Sequence, residues 1–212
     1  MAFQNQNFTK SYSESSSTIT ITGASNGTGS YTYSEVSEKN SNSTSTNYIT
    51  ISGTTITLSA STPVSTYTYV VRVADGNSGK TKDATMTITI DKVDATCPTL
   101  TAYSGTYDGA AHSITVSVGS GGTIQYRTST TGAWGTTKPS ITNVSDSPMT
   151  TYVQVYGDSN HNTKDCGSKT VTLTKKADTV SITAKSAGYT GDAIVANTAT
   201  SESGSTITYV PL

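Results

Sequence analysis

Two cysteines, Cys97 and Cys166, stand 69 positions apart and are the only pair in this chain able to crosslink it. Their positions alone leave two readings open, a disulfide or two reduced, half-exposed thiols. Oxygen-bearing side chains cluster twice, as Asp75, Asn77 and Asp83 and again as Asp158, Asn160 and Asp165. A hard cation takes six or more oxygens, so these sparse sets read as Asx-type turns, and no metal is expected. His112 and His161 are the only histidines and have no second ligand beside them at metal spacing; His161 reads as a solvated loop residue. There is no Gly-x-Ser-x-Gly elbow, His-Glu-x-x-His pair or phosphate-cradling loop, so neither an enzyme nor a cofactor is expected. What remains is aromatic. Trp134, Tyr103 and Tyr156 are the candidate binding residues, because rings on an exposed sheet face can stack on sugars or anchor a protein partner.

The elements that must position these residues are strands. Apolar side chains alternate with polar ones along Ile19 and Ile21, Tyr67 to Val73, Met86 to Ile90, Ile114 to Val118, Ile124 and Tyr126, and Val171 and Leu173. Helical spacing is nowhere sustained. Ser and Thr supply 76 of 212 residues, and charged residues only 13%. Threonine's branched carbon favours the pleated backbone and its hydroxyl tolerates water, so this composition fits antiparallel sheet with one wet face. Asn26-Gly27, Ser52-Gly53, Asp75-Gly76, Asp108-Gly109 and Gly121-Gly122 supply turns at the spacing of a sandwich. The polar run from Glu38 to Asn47 reads as a flexible surface loop.

The strands recur. Thr81-Lys82-Asp83 returns as Thr163-Lys164-Asp165 and Val71-Arg72-Val73 as Val153-Gln154-Val155, a step of 82 residues; Leu100-Thr101-Ala102 is echoed by Ile182-Thr183-Ala184. Repetition at a fixed period means strung modules rather than one large core. The expected units are residues 1–93, 94–176 and 177–212, the last holding only the first part of a copy. The junctions Asp91-Lys92-Val93-Asp94-Ala95 and Lys175-Lys176-Ala177-Asp178 have no Gly/Ser tract. Such short connections predict a semi-rigid rod.

The second unit resembles the bacterial immunoglobulin-like domains, of the mostly-bacterial Ig type found in tandem in surface proteins. The resemblance is carried by Tyr107-Asp108-Gly109, Gly121 to Tyr126, Trp134, Pro139, and Tyr152 to Asp158 leading into Asn160-His161-Asn162, over residues 97–176. It implies an all-β fold of tandem Ig-like Greek-key sandwiches, two complete and a third partial, used for spacing, display or adhesion. In such a sandwich the first strand runs parallel to the last. Cys97 and Cys166 then share one pole, and the resemblance favours a disulfide between them.

A net charge of −1 and the lack of a basic run interleaved with aromatics argue against nucleic acid. No apolar stretch is long enough for membrane insertion, and the start Met1-Ala2-Phe3-Gln4-Asn5 lacks the features of a secretory signal. The expectation is an extracellular surface protein on a phage virion or appendage, with a bacterial adhesin or a carbohydrate-binding accessory module as alternatives. Its partners would be proteins of an assembly, or a host-surface receptor or glycan. Residues 178–212, too short to bury Val180, Ile182, Ile194, Ile207, Tyr209 and Val210, are expected to be completed by strands of another segment or chain.

Overall fold

The computed structural model describes residues 1–184, 186, 188–189, 191, 198–201 and 206–208. Ile194, Tyr209 and Val210 lie outside these residues.

The first unit consists of β1 (Gln6–Ser11), β2 (Ser17–Thr20), β3 (Tyr31–Lys39), β4 (Ile49–Ser52), β5 (Thr55–Leu58), β6 (Ser65–Asp75) and β7 (Thr81–Asp91). They form two sheets, β1-β7-β6-β3 and β2-β5-β4. All pairs are antiparallel except β1 with β7. The alternating pattern is the reason: one face of each strand closes on the other sheet. Ile19, Ile49, Ile56 and Leu58 meet Tyr67, Tyr69, Val71, Val73, Met86, Ile88 and Ile90 in a single buried core. This is a Greek-key, Ig-like sandwich.

The next strand, β8 (Val93–Asp94), follows after Lys92 alone, and Val93 is already paired with the second unit. That unit contains β9 (Leu100–Thr101), β10 (Tyr103–Thr106), β11 (Thr115–Val116), β12 (Gly122–Arg127), β13 (Met149–Gly157), β14 (His161–Asn162) and β15 (Lys164–Thr174). One sheet, β10-β15-β13-β12, matches its counterpart in the first unit, again with a parallel outer pair. The facing layer is reduced to the β9–β11 pair and an isolated His112–Ile141 bridge. The core is correspondingly thin, with Ile114, Ile141, Val153, Val171 and Leu173 at its centre. Val118, expected to continue the β11 alternation, is 91% exposed, because β11 stops at Val116 and Gly119, Gly121 and Gly122 follow.

Of the third segment, β16 (Val180–Thr183) and β17 (Thr198–Ser201) form an antiparallel pair in which Val180 and Ile182 are exposed. The described residues contain one short 3-10 turn, Val144–Asp146, and no α-helix.

The run after Glu38 is tied down, contrary to its loose polar composition. The Glu38 side chain is buried, and its carboxylate accepts from Thr46 Oγ1 at 2.6 Å and from the backbone N–H groups of Tyr48 and Ile49 at 2.9 Å each. The Asn40 side-chain oxygen accepts from the backbone N–H groups of Asn42 and Thr44, at 3.0 and 3.1 Å. A buried carboxylate must find donors, and the loop backbone provides them.

Candidate functional site at the junction

Of the residues that could do chemistry, the two cysteines, Asp158, Asn160 and His161 lie where the two sandwiches meet. Residues 93–97 run alongside β14 and the start of β15. Val93 N–H donates to Asn160 O and Ala95 N–H to Asn162 O, at 3.3 and 3.1 Å. Lys164 Nζ reaches Asp94 Oδ2 at 2.7 Å and holds that carboxyl below its ordinary range. Cys97 and Cys166 are joined as a disulfide, with Cα atoms 5.4 Å apart. On the other side Thr96 exchanges two backbone hydrogen bonds with Ser120. The connection is therefore part of the second sandwich.

Further contacts bind the first sandwich to this assembly. Asn160 Oδ1 accepts from Val64 N–H at 3.0 Å. Lys92 Nζ donates to the Asp158 carbonyl at 3.0 Å. The Tyr12 ring meets the His161 ring edge-on, with centroids 5.1 Å apart. Edge-to-face ring contacts are favourable beyond the area they bury.

His161 is not the solvated loop residue its neighbours suggested: its side chain is 13% exposed. Its Nδ1 lies 2.7 Å from Asp158 Oδ1, and this hydrogen bond is the largest cause of the lowered Asp158 pKa. Tyr12 and Gly121 cover the ring. A Cβ on Gly121, at φ +80°, would meet the imidazole carbons at 2.7 Å, so only glycine lets the ring sit there. The turn signal of Gly121 was visible in the sequence; its role as a seat for His161 was not, because the residues are 40 positions apart.

Elsewhere the oxygen-bearing sets do not converge. Asp83 forms a two-point pair with Arg72, at 2.7 and 2.8 Å. Asp75 accepts from the Thr28, Asn77 and Ser78 N–H groups, and Asp165 from Gly167 N–H. Among the described residues no group of three or more His, Cys, Asp or Glu is placed to hold a metal.

The three candidate aromatics are not brought together. Tyr103, on β10, stacks on His112 at 4.3 Å, and His112 Nε2 lies 2.8 Å from Asp108 Oδ1. Trp134 covers Arg127, whose guanidinium carbon lies 4.2 Å from the indole ring and 5.7 Å from the Tyr152 ring. Tyr156 is 58% exposed, four residues beyond Tyr152 on β13. Between those two tyrosines, Gln154 Nε2 donates to Gln125 Oε1 across the strands at 2.8 Å. Of the three, only Tyr156 offers a largely open ring.

No protein-family model matches the chain, and no curated protein matches it. Solved structures do. The titin domains Z1Z2, in complex with telethonin, are 14% identical over 81% of this chain and 94% of that one, with a TM-score of 0.37. The N-terminal four Ig domains of Dscam1 isoform 9.44 are 9% identical over 81% of this chain and 44% of that one, with a TM-score of 0.39. Drosophila N-cadherin EC1-4 is 14% identical over 83% of this chain and 48% of that one, with a TM-score of 0.37. The chain thus spans nearly all of the titin pair and less than half of the longer arrays. With TM-scores this low, the class of protein, a tandem of Ig-like β-sandwiches, rests on the chain's own strand order. Among the described residues no helix is long and apolar enough to cross a membrane.

Proposed function

We propose that the chain is a non-enzymatic spacer and display module working at an external surface, with successive units over residues 1–93, 94–176 and 177–212. A phage virion or appendage is our first reading of that surface and a bacterial cell surface, as part of an adhesin of the mostly-bacterial Ig type, our second. The observation that carries the proposal is the stitched junction: Lys92, Val64 and Tyr12 of one sandwich engage Asp158, Asn160 and His161 of the next. A spacer needs such a fixed joint, because a free hinge would not set a distance. A disulfide between Cys97 and Cys166 suits an oxidising exterior.

The exposed Tyr156 beside the Gln125–Gln154 pair supports a second role on the same module, contact with a receptor or glycan. We also assign residues 178–212 to completion by strands from another segment or chain, given the exposed Val180 and Ile182 on β16.

Antibody against the first sandwich, applied to intact phage particles and intact cells of the source, tests the placement. Labelling and co-purification with capsids select the first reading, and recovery with cell envelopes the second. Chain confined to the cell interior contradicts both. Glycan-array binding that is lost in Tyr156→Ala and Trp134→Ala would establish the sugar-binding role, and no binding removes it.

A further inference from the structure

We infer that the two sandwiches differ in extensibility, the Cys97–Cys166 bond acting as a covalent bypass that keeps tension off the second one. The disulfide closes a loop with a sequence separation of 69. Its ends lie close to the entry and exit of the unit: Cys97 is four residues after Val93, and Cys166 lies near the start of β15, which ends at Thr174. Tension entering at Val93 runs along residues 93–97, crosses the sulfur–sulfur bond, and leaves along 166–174. Residues 98–165 carry none of it, and they include β9 to β14 and the buried Ile114, Ile141 and Val153.

The first sandwich has no such path, since the chain's two cysteines both belong to the second. Its load passes from β1 to β7, a parallel pair held by backbone hydrogen bonds. The array is therefore an extensible module in series with one that is fixed in length. At about 3.5 Å per residue the bypass withholds roughly 240 Å of chain. A dithiol would release that length by thiol–disulfide exchange: its thiolate attacks one sulfur of the bond, its second thiol closes on the mixed disulfide, and Cys97 and Cys166 are left as thiols while the dithiol becomes a disulfide.

The use of this hierarchy rests on the spacer reading, but the hierarchy itself is a property of the isolated chain. Its failure would leave the surface placement standing, and an interior location would leave the hierarchy standing. The test is stretching of the whole 212-residue chain, tethered at both ends, in oxidising buffer and again after treatment with dithiothreitol. The oxidised chain should show no release from the second sandwich, and reduction should add about 240 Å to the fully stretched length. The Cys97→Ser/Cys166→Ser double variant should show the added length without reductant, whether or not its second sandwich folds, because stretched length does not depend on folding. An oxidised chain that already yields this length, or a reduced chain no longer than the oxidised one, overturns the inference.

Discussion

The Tyr12 ring, from the first sandwich, stands edge-on to the His161 ring of the second at a centroid distance of 5.1 Å. The contact joins the units, and the Tyr12 ring also packs, partly buried, against the core of the first sandwich. Tyr12→Ala and His161→Ala should therefore loosen the junction, and each should also lower its own sandwich's unfolding midpoint, Tyr12 through its packing on the first core and His161 through its bond to Asp158. Gly121→Ala should displace His161 too and, because the residue sits at φ +80°, should lower the second sandwich's midpoint as well. Amide relaxation is the measurement: the variants should tumble as two loosely coupled bodies.

Reduction of Cys97–Cys166 should lower the stability of the second sandwich by about 4 kcal/mol, the loop-entropy value for a closure of this size. Its thin core cannot absorb such a loss, whereas the first sandwich has no cysteine and should unfold unchanged. Denaturant titrations with and without reductant, followed by the Trp134 fluorescence of the second sandwich and by amide signals of the first, separate the two transitions.

Glu38→Ala should cost the first sandwich about 2–4 kcal/mol, because it strands the buried N–H of Ile49 and the half-buried N–H of Tyr48 and removes charge-assisted bonds. Hydrogen exchange at Thr44, Thr46 and Tyr48 should accelerate ahead of global unfolding. An unchanged exchange rate there would show that the loop is held by something other than this carboxylate.

Acid should destabilise the first sandwich through Asp75. The Thr28 N–H, followed by those of Asn77 and Ser78, holds its carboxyl down to about 2, below the ordinary 3.8. A carboxyl depressed by folding contributes stability that is fully present above its unfolded value and is lost as pH falls through the folded one. Urea midpoints should hold steady down to about pH 4 and then decline toward pH 2, with a shallower decline in Asp75→Asn.

The strands were legible because burial imposes a two-residue period: Tyr67, Tyr69, Val71 and Val73, like Met86, Ile88 and Ile90, are all buried. The repeat, likewise, was written in aligned triplets. The short junction predicts a restricted joint, but its contacts are not legible in the sequence. Tyr12 and His161 lie in different units, and the 82-residue period says nothing about which residue of one copy meets which residue of the next. Glu38, a charged residue next to a polar run, has the sequence signature of a solvated side chain, and only the fold turns its carboxylate inward. Trp134 carried a signal as an isolated tryptophan, but its pairing with Arg127 depends on a loop returning over β12.

Whether the two sandwiches are held as one body is tested most directly by residual dipolar couplings. These would be measured for the amides of β6 and β7, and for those of β13 and β15, in one aligned sample of the whole chain. Both sets should fit a single alignment tensor, in the relative orientation set by the Lys92, Asn160 and His161 contacts. Two tensors of clearly different magnitude would show that the sandwiches reorient independently, and would contradict a fixed joint.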